Sequence, residues 1–590
     1  MRFYVMAEEA VEPITELSNK LTLDIDTSDP GEIVSKLYQC DKELFDGWNN
    51  YPSMLCEDTI HVVSQLAKAC LRVLKNRGLI VISGCGTSGR LAFATSKKFN
   101  ALAKSQGSLG ANPYDYLISG GDEALFSSRE IPEDDWEQGQ ADLIALCKGH
   151  ANVLYIGVTC GLSAPYVAGQ LDYCLDNPDL FTSVLVGFNP VHMSRKAPIE
   201  GWSKTFYDVA CKLQDCKNGI ILNPVLGPEA ITGSTRMKGG SATKMIIETA
   251  LFLAHLQVPN TPGGGMNLSP LDLLQEYKHV LHETYSHLKE LTEAVSICGE
   301  SLKNKGHVYY VSWGSVGFLP LLDAAECVPT FSSNFHDIRA FMDGGFTSLG
   351  NKEGQLLSLD ISLLEFENNM LPHVSCLDSV VFVCLSGVHL PKLQEVVIKL
   401  STQQANIIVI CLPQLYKDCI NLANDITYIV LNVEQSSEVQ MGSELVQLVY
   451  YESLLELSVK WVLNCLSTGA HILKGKVLQN YMIDLKVSNN KLFHRAISII
   501  SKFGSCSKED SFKALLKSIY RCDEVNKGII NMVTSQHISA SMAREQVVPL
   551  AILLAKGRHD VATARKLLES KTIAVILQDQ IMDCKVLKVF

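Results

Sequence analysis

A run of apolar residues that enters a glycine-rich turn and continues into a helical pattern occurs twice in this chain. That repeat limits the fold more than any other feature. The first copy is GLIVISGCGTSGRLAF, residues 78–93, and the second is GHVYYVSWGSVGFLPLL, residues 306–322. About 70 residues after each comes a second apolar motif, ANVLYIGVTCGLSAPYVAGQL in the first half and DSVVFVCLSGVHLPKLQEVV in the second. About 30 residues further on comes a third, TSVLVGFNP and ANIIVICLP respectively. Self-similarity at matched spacing marks duplicated structural units. Strands written as continuous apolar runs and separated by helical segments belong to parallel sheets covered on both faces. YDYLISGG, around Tyr116, adds one more strand to the first half. The expected fold class is α/β, with two doubly wound parallel-sheet domains in tandem.

A chain of 590 residues exceeds what one hydrophobic core supports. Residues 1–56 are expected to pack on the core as an N-terminal segment, and 57–260 to form the first domain. The Pro- and Gly-dense NTPGGGMNLSP places a linker at 261–275, and the second domain is expected over 276–466. From 467 to 590 the patterns are helical, as in SKEDSFKALLKSIYR, VVPLAILLAKG and DVATARKLLES, with Gly557 as a helix stop. The tail is therefore expected to be an all-helical third domain.

The net charge of −12 argues against general nucleic-acid binding, which needs a basic face. Nineteen cysteines are scattered without a CxxC pair or a secretory signal, which predicts reduced thiols in a cytosolic or nuclear protein. No apolar run approaches the roughly 18 residues of a membrane helix, so no membrane association is expected. HExxH, paired CxxC and GxSxG are all missing from the sequence, which removes metal and triad hydrolysis from consideration.

The turn from Ser83 to Arg90 places Thr87 and Ser88 at the start of a helix, among glycines 84, 86 and 89. Helix N-termini offer N–H donors and a positive dipole end, so a phosphate is the natural guest; a plain tight turn is the alternative. The spacing matches neither GxGxxG nor GxxxxGK[ST]. The second loop repeats the arrangement with Thr159, Cys160, Gly161 and Ser163. In an open α/β sheet two such loops converge outside the strand ends. Thr159 or Ser163 can equally serve as a helix cap. In the second half Trp313 and Val316 replace the open turn and LSGVHL keeps one hydroxyl, so that half is expected to have lost its phosphate site. SSREIPEDD carries Glu130, Glu133, Asp134 and Asp135. These either accept from sugar hydroxyls, act as general acid or base, or form a solvated helix start. Lys476, Arg236 and Lys238 are lone cations in hydroxyl-rich segments, where surface solvation competes with a phosphate contact.

GCGTSGR, SGGD followed by SREIPED, TCGLSAPYVAGQ, GFNP and above all NPVLGPEAITGSTRMKGGSATK resemble the sugar isomerase (SIS) branch shared by N-acetylmuramic acid 6-phosphate etherases and glucokinase regulatory proteins. Etherases have one such domain and a short tail. With two domains and a long helical end, including KWVLNCLSTGAHILKGKVLQNYMIDLKVSNNKLFHRA, the chain is identified as a member of the regulatory family over nearly its whole length.

The resemblance implies two SIS domains and a helical lid, no catalytic residue, no metal and no cofactor. It implies a monomer that inhibits glucokinase as a heterodimer, competitively with glucose, in cytoplasm and nucleus. Fructose 6-phosphate would strengthen that complex and fructose 1-phosphate would relieve it. The phosphosugar would meet Thr87, Ser88, Thr159, Cys160, Gly161 and Ser163, with Glu133 and Glu326 at the sugar and Lys476 reaching in from the lid. The kinase surface would include Asp179 and Leu180, and a segment ending in Asp425, Ile426 and Thr427. Mammalian members carry glycine at Cys85, serine at Thr159 and a sugar-holding histidine at Pro329. Proline has no donor to offer, so the fructose-phosphate response is expected to be weak or absent. The competing reading is an active etherase; a phosphosugar isomerase comes third.

Overall fold

Six residues of β1 (Leu79–Gly84) are buried without exception, as a central parallel strand requires. In this computed structural model β1 lies between β2 (Tyr114–Ile118) and β3 (Val153–Val158), with Ile80 opposite Tyr114 and Leu79 opposite Val153. β4 (Phe181–Val186) and β5 (Ile220–Leu222) complete a parallel sheet of order β2-β1-β3-β4-β5. The structure describes residues 12–577 and 579, apart from 108–111, 128–130, 259–267, 357–358, 420–424, 435–438, 440 and 442.

The second half repeats the order. β6 (Val308–Ser312) pairs with β7 (Ile338–Met342) on one side and β8 (Ser379–Cys384) on the other. β9 (Asn406–Cys411) and β10 (Ile426–Val430) follow, all parallel. Three strands go beyond those expected, namely β5, β7 and β10, and each is an edge of its sheet. These edge strands are short or interrupted: β5 has three residues, β7 carries Arg339 at its second position, and β10 alternates in burial.

The helix Lys238–Leu256 is buried at every position. It packs with helices Glu57–Lys75, Gly86–Gln106 and Pro270–Ser286. The helix Glu444–Leu473 runs for 30 residues, about 45 Å, against helices Leu288–Lys303 and Phe318–Phe331. One apolar cluster extends through both α/β domains and the helical end, and two smaller ones fill the outer faces of the two sheets.

Two expected boundaries move. The linker cannot reach 275, because Ser269 and Asp272 cap each other reciprocally and start a helix at Pro270. The rest of the linker, 261–267, lies outside the described residues. The break at 467 falls inside the 30-residue helix, and the chain turns instead at Lys474–Lys476. Ser467 and Thr468 have the composition of a loop, but their hydroxyls are buried and bonded to Arg236. The lid is helical apart from a ribbon pairing Val477–Leu478 with Tyr481–Met482.

Within the N-terminal segment, the helix Pro30–Asp46 begins with an Asp29–Glu32 capping box and packs on Leu288–Lys303. The strap before it reaches the lid. Glu16 accepts from Arg495 at 2.8 and 2.6 Å. Asn480 bonds Ser18, Asn19, Thr22 and the Thr232 backbone.

Candidate functional site

β1 and β3 are neighbours, so the turns that leave their carboxyl ends open onto one cavity. Gly86, at φ +49°, starts the helix Gly86–Gln106, and no side chain caps that helix. The Ser88 and Gly89 N–H groups bond the Cys85 carbonyl, and the helix start itself, with Gly86, Thr87 and Ser88, lines the cavity with its positive dipole end. A Cβ on Gly86 would lie 3.5 Å from Glu133 Oε1 and 3.7 Å from Glu326 Oε1, so two carboxylates stand over this turn.

Thr159, Cys160, Gly161 and Ser163 line the same cavity. Ser88 Oγ and Cys160 Sγ are 3.9 Å apart, which ties the two loops together. Thr159 Oγ1 accepts from the N–H groups of Ser163 and Ala164, so the hydroxyl stabilises the loop and keeps its own proton to donate. Thr87, Ser88, Glu133, Thr159, Cys160, Gly161, Ser163 and Glu326 all meet here.

Lys476 does not. It pairs at 2.9 Å with Asp484, away from the cavity-lining set. The lid contributes Asn489, Lys491 and Arg495 in its place. Asn489 donates to Glu133 at 3.2 Å, and Lys491 lies 3.9 Å from the same carboxylate. Arg195 lies 3.9 Å from Asp134, which also accepts from the Asn490 backbone at 2.7 Å. Burial pushes the Asp134 carboxyl above its usual range, and the neighbouring Glu133 adds to what burial does to the Cys85 thiol. Arg495 approaches Gly233 so closely that a Cβ there would lie 2.5 Å from its Cζ.

Arg236 also lines the cavity. It is buried, donates to Asp323, Ser467 and Thr468, and leaves its Nε without a partner among the described residues. Lys238 is held elsewhere by Glu43 and the Leu226 carbonyl. Asp135 caps the helix Trp136–Leu146, the structural role its position allowed, and Glu130 lies outside the described residues. Pro329 is buried in the helix Phe318–Phe331 and forms part of the wall. In the second domain, buried Trp313 stacks against Phe382 and His389, each 6.1 Å away, and occupies the equivalent turn.

Among the described residues four cations line the cavity, Arg195, Arg236, Lys491 and Arg495, and of these sequence reasoning singles out only Arg236. The signal for Lys491 and Arg495 was their i,i+4 spacing in KLFHR, which sets both on one helix face. Asp179 is exposed and Leu180 half-buried on the turn before β4; Asp425 is exposed and Ile426 half-buried at the start of β10. Thr427 is 6% exposed and drops out as a contact surface, because it points into its sheet's packing. Residues 422–424 lie outside the described residues. Among the described residues no group of three or more His, Cys, Asp or Glu is placed to hold a metal, and no helix is long and apolar enough to cross a membrane.

Three family profiles match: the glucokinase regulatory protein N-terminal SIS domain over residues 62–175, its second SIS domain over 285–474, and its C-terminal lid domain over 479–576. The glucokinase regulatory protein of Xenopus laevis is 39% identical over 563 residues, covering 92% of this chain and 88% of that protein. The Homo sapiens protein of the same name is 37% identical over 579 residues, covering 94% and 90%. An N-acetylmuramic acid 6-phosphate etherase of Enterobacter sp. (strain 638) is 31% identical over 234 residues, 40% of this chain and 67% of its own length.

Proposed function

This chain belongs to the glucokinase regulatory protein family, and on that premise we propose that it is an inhibitory regulator of glucokinase, strengthened by fructose 6-phosphate and relieved by fructose 1-phosphate, with a response that Pro329 keeps weak. It acts without a cofactor, as a monomer that pairs with the kinase in competition with glucose, in cytoplasm and nucleus. The supporting observation is the make-up of the cavity wall. Thr87 and Thr159 come from the first domain, Glu326 from the second, and Lys491 from the lid. A ligand seated there touches all three bodies, and it shifts their arrangement only by its differential affinity for the alternatives. Two fructose esters that place the phosphate differently can therefore act in opposite senses.

The phosphate sits at the Thr87–Ser88 helix start with Lys491 and Arg495 opposite, and the sugar hydroxyls meet Glu133 and Glu326. The Lys491–Glu133 and Arg195–Asp134 pairs stand at 3.9 Å, longer than hydrogen bonds. Pro329 supplies neither side-chain donor nor N–H to the sugar, so fructose esters bind weakly and inhibition depends little on them. The kinase docks over Asp179, Leu180, Asp425 and Ile426.

The test is a glucokinase assay with the purified chain across a glucose series, with and without fructose 6-phosphate and fructose 1-phosphate. Inhibition that glucose overcomes, changed little by either ester, is expected. An inert chain overturns the reading, and strong opposite responses to the two esters overturn the role given to Pro329. The two carboxylates over Gly86 keep one alternative alive, cleavage of the lactyl ether of N-acetylmuramic acid 6-phosphate. Turnover of that substrate by the purified chain would establish it.

A further inference from the structure

The helix Phe318–Phe331 of the second domain presents Asp323 and Glu326, one turn apart, to two arginines of the first domain. The two pairs differ. Asp323 is consumed by protein: Oδ1 accepts from Arg236, Asn464 and Ser467, and Oδ2 from Tyr310. Glu326 bonds Arg90 through Oε1 alone, and among the described residues its Oε2 has no hydrogen-bond partner. Glu326 lines the cavity, and Arg90 does not.

Arg90 is 3% exposed and rigidly held. Its Nε donates to the Leu125 carbonyl at 3.2 Å and its Nη2 to the Ser127 carbonyl at 3.3 Å, which leaves Nη1 aimed at Glu326. A planar guanidinium fixed at two points fixes the direction of the third donor. Arg90 also lies on the helix whose start carries Thr87 and Ser88, so one helix both forms the anion cradle and aims the carboxylate above it.

We infer that Arg90 is a positioning residue that holds the Glu326 carboxylate over the Gly86 turn, where it accepts a sugar hydroxyl, and so makes the cavity select phosphosugars over bare phosphate. The inference rests on the phosphosugar reading of the cavity. It goes further in assigning selectivity to a residue that the ligand does not touch. The net negative charge of a bare phosphate is repelled by the Glu326 carboxylate, whereas a neutral sugar hydroxyl donates to it without that cost. Loss of Arg90 therefore costs sugar recognition and spares phosphate binding.

The full chain is titrated calorimetrically with fructose 6-phosphate, fructose 1-phosphate and inorganic phosphate, as wild type, Arg90→Lys, Arg90→Met, Glu326→Gln and Arg90→Met/Glu326→Gln. Arg90→Met is expected to weaken the esters about 10-fold and inorganic phosphate less than about twofold, in line with loss of one charge-assisted hydrogen bond. The double variant should be no weaker than Glu326→Gln, since both act through one carboxylate, and Arg90→Lys should recover part of the selectivity. Should Arg90→Met not fold, Arg90→Lys and Glu326→Gln carry the same comparison. Equal losses for esters and phosphate, additive losses in the double variant, or unchanged selectivity would each overturn the inference alone. A wild-type chain that binds inorganic phosphate and neither ester sinks the phosphosugar reading, and the inference with it.

Discussion

Lys476 and Lys491 lie in the same stretch of the lid, both within reach of carboxylates, yet only Lys491 borders the cavity. A methionine at 491 is expected to weaken phosphosugar binding about 10-fold, and one at 476 to leave it within about twofold; titration of both variants checks this. Replacing Pro329 with histidine should strengthen fructose 6-phosphate binding, because it returns a donor to the wall; unchanged affinity would remove Pro329 from the account. The loops of the first domain were legible in sequence because strand, glycine turn and hydroxyl are adjacent in the chain. The lid cations were not, since a lysine's spacing tells which helix face it occupies and nothing of what distant segment that face meets. Two buried histidines set a pH response. Burial drives His255 and His471 from 6.5 down to about 3, so both fold neutral. The unfolded chain takes up their protons near 6.5. The stability they contribute is complete above that value and is lost as the pH falls toward 3, at up to about 1.4 kcal/mol per pH unit for each group. Melting temperatures measured from pH 7 to 5 should fall, and His255→Gln should flatten the slope.

Three helices meet around a buried ionic cluster. Lys98 on Gly86–Gln106, Lys244 and Glu248 on Lys238–Leu256, and Glu456 on Glu444–Leu473 bond one another, with Lys244 lying 2.6 Å from both carboxylates. Glu456 is held below its usual carboxylate range by the two lysines, against the effect of burial. Exchanging Glu456 for glutamine leaves two buried lysines sharing one carboxylate, and about 3–5 kcal/mol of stability should be lost, read by denaturant unfolding. The same helices show where sequence patterns stop informing. The central strands announced themselves as unbroken apolar runs, since helices cover both their faces. The edge strands β5, β7 and β10 did not, being short, interrupted by a charge or buried on alternate residues. The helix Glu444–Leu473 hid its last turns because Ser467 and Thr468 serve Arg236 from inside a core, where hydroxyls are uncommon.

Both α/β domains and the lid share one apolar cluster, so the described chain is expected to unfold as one cooperative unit. Calorimetry should give a single transition, moved upward by any ligand that binds only the folded cavity. Two resolved transitions would show that the lid melts independently. The equal order of the two sheets was foreseeable from the repeat, whereas the strap that ties Glu16 and residues 18–22 to the lid had no sequence signature. That strap has a consequence during synthesis. Arg495 leaves the ribosome 479 residues after Glu16, so the partners of the strap do not yet exist while both sheets are forming. Contacts of such sequence separation form late, and the cavity gains its third wall only when the lid emerges and closes the intervening chain into a ring of contacts.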